Sequence, residues 1–523
     1  MDQTISGLEA YIKVWGYLKY FHPNVVRGAV DWDSAFLAGY PIAAISSCAE
    51  EISETADHLL NRAHGVASFG ENHAIDESQL TRLVDRSWMN DDGWFSKPTQ
   101  EALQGCYSNA IPRHGTYVSP ENIAQNANVS SDIGYPCEPY PNEQERMLAL
   151  ARYWNCIEYF APYKDVIGEP WDAVLSRLIP RIRAARSAGE YQLEILECCC
   201  CTNDGHSYTR SAYLDTLLGP YLMPFDFSTI EGKNVVIHSY SQFELQAGDE
   251  LLSIGGQSLD VLSDKYRRIV PGSNDSSRGR NIRTSAGRMA NRQPVEIAFK
   301  RDGITGCVTI HPTTREEFLL NPLHSDSGDH WKILPGNIGL VNMGLLEKEE
   351  ITEVMEALAQ TRALIFDIRN YPKGTLWQLE HYFPGNANWV QFRQPNYACP
   401  GTFERIDYSA SKKRQGHYQG MVAILVNERT QSQAEYTAMM FQSIPGCITV
   451  GSQTAGADGN VSTITLPGGI KTMFSGLGVF YPDGSPTQRV GIKVDVEVYP
   501  TIAGIRAGRD EVLEKAIEIC NAG

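Results

Sequence analysis

The sequence predicts a multidomain α/β protein, and three patterns predict it. An aromatic-rich helical segment occurs twice near the N-terminus, a β-rich module follows from about residue 214, and strand–helix–strand alternation runs from Gly336 onward. At 523 residues the chain is long enough for about three or four domains of ~100–200 residues.

The repeat is read from Val14–Pro23 and Tyr153–Pro162, where Trp15 matches Trp154 and Tyr20-Phe21 matches Tyr159-Phe160. The same offset of 139 residues carries Trp32 onto Trp171 and Pro41 onto Pro180, so no gap is needed. Each copy reads as an aromatic-faced helix stopped by Pro23 or Pro162, then a loop, then a second helix opening near a Trp-Asp pair. Two copies make a duplicated helical unit rather than a solenoid, and His22, which aligns with Ala161, is incidental. Between the copies a helix is expected over Ala49–Ala63, and the polar, Pro-rich Asn122–Asn142 reads as a linker.

A module at about Leu214–Pro312 carries Gly248-Asp249 before an apolar strand, with Leu251, Ile254 and Val261 at apolar positions and Gly255-Gly256 at a turn. Pro271–Arg292, rich in Ser, Asn and Arg, reads as a mobile basic loop. Farther on, Ile338–Met343, Ala363–Ile368, Val422–Val426 and Ile448–Val450 are short apolar runs of buried strands, with a helix at Lys348–Gln360. Alternation of this kind implies a parallel-type sheet, whose ligand sites lie at the carboxyl ends of the strands.

Ser432 stands where one of those strands gives way to a helix. A first helical turn has unpaired N–H groups at the positive end of the helix dipole, which suits a nucleophilic hydroxyl beside a developing anion. The competing reading is a capping box of Thr430 or Ser432 with Glu435.

Thr430, Ser432 and Glu435, in T-x-S-x-x-E, resemble the nucleophile segment of the serine peptidase family that includes tail-specific C-terminal-processing proteases and the tricorn core protease. Asp204-Gly205-His206, Gly248–Gly256, Asp367-Ile368-Arg369-Asn370, Gly451–Gly456 and Tyr481–Gly484 with Gly491–Asp495 resemble further motifs of that family, in its order, from about Met147 to the C-terminus. The resemblance implies an α/β catalytic core, with the middle module PDZ-like and able to bind an extended peptide at its sheet edge. The expected partition is residues 1–142 as helical unit plus linker, 143–213 as second helical repeat with the D-G-H segment, 214–312 as PDZ-like domain and 313–523 as catalytic core.

The resemblance also implies roles. In the C-terminal-processing branch a lysine after the T-x-G turn activates the serine. Here Ala457-Asp458-Gly459 follows, so a simple Ser–Lys pair would need Lys471 or Lys373 from elsewhere. The tricorn-like branch uses a histidine, which makes His206 the general base for Ser432. The family's glutamate would fall near Gln488-Arg489, where this chain has no acid, and Asp458, Glu435 and Asp204 are the replacements, Asp458 first. Oxyanion donors are expected at Gln433 and at Gly374 or Lys373, although Pro372 and a single glycine mark a departure from the family's glycine-rich loop. Substrate contacts are expected from Arg369, Gly205, Leu251 and Arg280.

The expected function is a serine peptidase acting on short or unfolded peptides through an acyl-enzyme on Ser432. The alternative is an inactive relative that binds a peptide or small apolar ligand. An α/β-hydrolase esterase is disfavoured because no G-x-S-x-G occurs. No cofactor or metal is expected. Cys198–Cys201 reads as buried thiols, since no second C-x-x-C or spaced histidine pair completes a zinc site. A formal net charge of −17 argues against nucleic acid as a partner, and no apolar run is long enough for an integral membrane segment. The oligomeric state stays open. Met1–Ala10 lacks a signal-peptide pattern, so the location reads as cytoplasmic if Met1 is the native start, and as periplasmic or extracellular if a signal was removed.

Overall fold

The computed structural model describes residues 3–64, 80–108, 115–129, 132, 135, 138–240, 245–319, 328–408, 414–415 and 417–522. They form a mixed α/β protein in two compact units, both discontinuous in sequence. The first unit comprises residues 1–214, 392–406 and 460–478, and the second 215–391, 407–459 and 479–523. Among the described residues no helix is long and apolar enough to cross a membrane.

In the first unit the repeat is visible atom by atom. Helices Gln3–Phe21 and Glu143–Phe160 are each followed by a second helix, Trp32–Ala43 and Trp171–Ala184, that carries its proline inside. Within each copy the two tryptophans exchange hydrogen bonds: the Trp15 indole donates to the Trp32 carbonyl and the Trp32 indole to the Trp15 carbonyl, both at 2.9 Å. Trp154 and Trp171 do the same at 3.0 Å. Each bond satisfies a buried indole and a buried carbonyl together, so the pair fixes how the two helices meet. His22 is a local cap, its Nδ1 accepting from the Asn24 N–H. The intervening helix spans Ala49–Arg62.

The linker expected at Asn122–Asn142 lies partly outside the described residues, but Asn126 and Val129 within it are buried. Asn126 donates to the Val461 carbonyl and the Ser462 hydroxyl, tying that segment to the hairpin Val461–Leu466/Ile470–Ser475. Ile464, Leu466, Ile470 and Phe474 of the hairpin complete the apolar core of the helices. Cys198, Cys199 and Cys200 are buried in the helix Ala188–Cys200, and burial raises their thiol pKa values where a shift is resolved.

Among the described residues the second unit holds two six-stranded sheets besides smaller two-stranded ones. One is antiparallel, in the order Ile304–Ile310, Val295–Arg301, Glu250–Ile254, Lys233–Ser239, Phe225–Ile230, which leaves Phe225–Ile230 at an edge. Leu251 and Ile254 face its core, whereas Val261, expected there, is 56% exposed. The segment read as a mobile basic loop is instead the helix Asp275–Ala286, opened by a reciprocal capping box of Asn274 and Ser277. That cap offsets the low helix propensity of its serines and Gly279.

The other sheet runs Trp331–Leu334, Ile338–Asn342, Ala363–Asp367, Met421–Val426, Ile448–Gly451, Val496–Glu497, parallel except for its first pair. One face packs on the helix Glu511–Ala522 through Val512, Ala516 and Cys520. On the other face Phe366 stacks on Phe441 of the helix Gln433–Gln442. Covered on both faces, the central strands are apolar throughout, which is why they are legible as continuous runs.

Candidate active site

Ser432 lies at the carboxyl end of the strand Met421–Val426, immediately before the helix Gln433–Gln442. Its backbone stands at φ 58° and ψ −127°, and its side chain makes no capping bond. A non-glycine residue held there costs about 1–3 kcal/mol, so the surroundings must impose it. A sharp strand-to-helix turn of this kind lifts a hydroxyl clear of the sheet.

Two motif neighbours impose the turn. Thr430 is fully buried; its hydroxyl donates to the Ile368 carbonyl at 2.9 Å and accepts from the Asn427 N–H at 3.1 Å. Glu435 is fully buried too, and its carboxylate receives the Thr454 hydroxyl at 2.5 Å, the Gly456 N–H at 2.8 Å and the Ala457 N–H at 2.9 Å. The loop so held returns the restraint: the Ala457 carbonyl accepts from the Ser432 N–H at 2.8 Å, and the Ala455 N–H donates to the Thr430 carbonyl at 2.9 Å. The capping-box alternative therefore fails at its serine, and Glu435 is a brace for residues 454–457. Burial pushes its pKa up to about 7, against the opposing pull of those three donors.

Asp458, next along this loop, is buried, and its carboxylate accepts the Gly459 N–H at 2.7 Å. Burial first, and the negative charge of Glu435 second, hold its carboxyl well above the usual range. At the start of the loop, Gly451 has φ 142°, and a Cβ there would lie 1.9 Å from the Val426 carbonyl oxygen, so no side chain fits. The closing G-I-K-V-D motif joins the same framework, since the Ile492 N–H donates to the Thr454 hydroxyl at 2.8 Å and the Asp495 carboxylate accepts from the Thr449 N–H at 2.9 Å.

Beside Ser432 the Gln433 N–H is the first of its helix and has no intrahelical carbonyl to meet. Gly374, at φ 72°, is close by: a Cβ on it would lie 3.5 Å from the Gln433 side-chain nitrogen and 3.2 Å from the Lys348 ammonium. Lys348 is a neighbour that no sequence motif announced. The Lys373 ammonium pairs with Glu347, and Lys471 lies exposed in the first unit. Arg369, expected to contact substrate, has its guanidinium filled by the carboxylates of Asp367 and Asp510, with bonds of 2.6–2.9 Å; it anchors the strand end instead.

Two more expected substrate contacts have other employment. Leu251 is buried in the antiparallel sheet's core. Arg280 projects from the helix Asp275–Ala286 onto the Ser432 loop, donating to the Glu428 carbonyl and the Gln431 side chain, both at 2.6 Å. Asn274, the cap of that helix, donates to the Thr454 carbonyl at 2.8 Å, so one helix braces both loops that flank the serine. The same helix, with Leu259–Arg267 and the edge strand Phe225–Ile230, walls a cleft of about 380 Å³ containing Phe227, Arg267, Arg278 and Arg283.

His206 belongs to the first unit. It is buried, in the turn Asp204-Gly205-His206, and its Nδ1 lies 2.8 Å from the Ser475 hydroxyl. Asp204 accepts the His206 N–H at 2.9 Å, the Ser475 N–H at 2.6 Å and the Ser475 hydroxyl at 2.9 Å. A hydroxyl has one proton, and Ser475 gives it to the carboxylate, so it accepts from an Nδ1–H and the imidazole lone pair falls on Nε2. Gly205 contributes the turn. Ser475 was missed in the sequence because a lone serine ending a strand carries no signal, whereas Asp204 was among the named orienting groups.

Comparisons with known proteins bear on the core and the fold. Residues 336–498 match peptidase family S41. The chain is similar in fold to the crystal structure of mature CPAF, with a TM-score of 0.57 and 14% identity over 72% of this chain and 97% of that one. It is likewise similar to mature CPAF complexed with lactacystin, with a TM-score of 0.55 and 13% identity over 73% and 98% of the respective chains. No curated protein sequence matches it.

Proposed function

From the match of residues 336–498 to peptidase family S41, we propose that this chain is a serine peptidase in which Ser432 is the nucleophile and His206 the general base. The observation that carries the reading is the strained turn at Ser432, held open by buried Thr430 and Glu435, inside the family-matching region. Strain maintained by so many bonds is expected where a side chain must be presented rather than packed.

In the proposed cycle the Ser432 hydroxyl attacks the peptide carbonyl carbon and loses its proton to Nε2 of His206. The oxyanion is received by the N–H groups of Gln433 and Gly374. As the tetrahedral intermediate collapses, the carbon–nitrogen bond breaks and the imidazolium protonates the leaving amine. Water, deprotonated by the same imidazole, then hydrolyses the ester and restores Ser432. The His206–Ser475–Asp204 chain supports this role by fixing the tautomer with its lone pair on Nε2 and by setting a carboxylate behind the charge that forms. In this cycle Asp204, rather than Asp458, is the carboxylate behind His206.

The substrates are short or unfolded peptides. A peptide would add as a strand to the edge Phe225–Ile230 beside the cleft of the PDZ-like module. The partition 1–142, 143–213, 214–312 and 313–523 belongs to the same proposal.

Fluorophosphonate labelling tests it. Wild type is expected to label, Ser432→Ala to lose labelling entirely, and His206→Ala to slow by about 10²-fold or more. Labelling that survives Ser432→Ala, or no labelling of wild type, would overturn the assignment.

A further inference from the structure

Four aromatic rings close on one another beside the nucleophile helix. Trp377 lies 6.0 Å from Tyr436 and 6.0 Å from Tyr408, while Trp389 lies 4.7 Å from Tyr436 and 5.6 Å from Tyr408, measured between ring centroids. Each of the four thus touches two others, and the cluster draws on two separate stretches of the second unit, residues 215–391 and 407–459.

Its position relates it to the chemistry. Tyr436 is four residues after Ser432, in the first turn of the helix that the serine precedes, and its N–H bonds to the Ser432 carbonyl at 3.0 Å. Trp377 comes three residues after Gly374, the glycine proposed to serve the oxyanion. The cluster is therefore continuous with both the nucleophile and its loop.

Three features distinguish it from ordinary core. Trp377 is 47% exposed, an unusual state for a tryptophan that contacts two other rings. Trp389 is only 2% exposed, yet among the described residues its indole N–H has no hydrogen-bond partner. Buried indoles normally find an acceptor. Thr375, fully buried between Gly374 and Trp377, also has a hydroxyl without a partner among the described residues. Apolar rings, one of them open to solvent, together with unspent donors make the composition of a specificity pocket.

We propose that Trp377, Tyr436 and Tyr408 form the wall that receives the substrate side chain on the acyl side of the scissile bond, and that they select an aromatic or large aliphatic residue there. This rests on the serine peptidase reading and adds a substrate class to it. Trp377 is the specificity-determining residue, because it alone of the two tryptophans presents surface to an incoming peptide.

The experiment uses the full chain and peptidyl diphenylphosphonates that differ only in the side chain next to phosphorus: Phe, Leu, Ala, Asp or Lys. Ser432 is expected to react with the Phe and Leu probes about tenfold or more faster than with the Ala probe, and faster still than with the charged ones. Trp377→Ala should collapse the Phe-to-Ala ratio towards one, and Trp377→Phe should retain most of it. Circular dichroism of each variant guards against misfolding. Equal rates for all probes in wild type, or an unchanged ratio in a folded Trp377→Ala, would overturn the specificity proposal while leaving Ser432 as nucleophile. Loss of all labelling, including that by a simple fluorophosphonate, would overturn both.

Discussion

The amide of Ser432 donates to the carbonyl of Ala457 at 2.8 Å, and Ala457 is itself held by the carboxylate of Glu435, three residues past the serine. The motif therefore closes on itself through the loop that follows the next strand. Replacing Glu435 by Ala should leave up to three buried donors unmet and cost about 2–4 kcal/mol in urea unfolding. Labelling of Ser432 should slow at least about tenfold. A variant with wild-type labelling would show that the turn holds without its brace.

The Ser475 hydroxyl should matter through orientation. Ser475→Ala removes the acceptor of the His206 Nδ1 proton, so kcat on a peptide substrate is expected to fall about 10²-fold with KM nearly unchanged. An equal fall in binding would point to a packing role.

Arg280→Lys is a test of geometry at constant charge. A guanidinium reaches the Glu428 carbonyl and the Gln431 side chain together, whereas an ammonium cannot reproduce that fork. Slower fluorophosphonate labelling with little change in melting temperature is expected, and an unchanged rate would remove the helix Asp275–Ala286 from any role at the serine.

Stability should respond to pH through Glu158, which burial raises from its ordinary 4.5 to about 7 despite the opposing charge of Lys164 at 2.7 Å. Between those values the folded chain holds a proton that the unfolded chain has released. The contribution of this group is therefore complete below about pH 4.5 and is lost as pH rises through about 7. Glu158→Gln does not titrate, so its stability relative to wild type should increase between pH 5 and 8 by an amount on the order of 3 kcal/mol. A flat difference across that range would refute the shift.

The two tryptophan pairs should be energetically alike. Trp15→Phe and Trp154→Phe each leave one buried carbonyl without its indole, at a cost of about 1–3 kcal/mol. Denaturant melts of the two variants should agree more closely with each other than either does with wild type.

What could be read in advance follows from distance along the chain. The Ser432 turn was legible because its strand, turn and helix are contiguous and the strand is covered on both faces. The repeat was legible because its aromatic residues recur at one spacing. Ser475 was not, since its partner His206 stands 269 residues away and a single hydroxyl has no periodicity. Arg280 was misread for a different reason: a composition of Ser, Asn, Gly and Arg suggests a loop, but one capping box was enough to start a helix. Arg369 and Leu251 show that a motif position predicts backbone placement better than it predicts what a side chain touches.

The hairpin Val461–Ser475 sets a timetable for synthesis. It supplies Ile464, Leu466, Ile470 and Phe474 to a core whose other walls are built almost wholly from the first 200 residues. Those walls leave the ribosome first and must wait while most of the second unit is translated, roughly tens of seconds at ~5–20 residues per second. Throughout that interval an oily surface meant for the hairpin faces water or a chaperone, so nascent-chain aggregation, more than equilibrium stability, is the hazard this architecture has to survive.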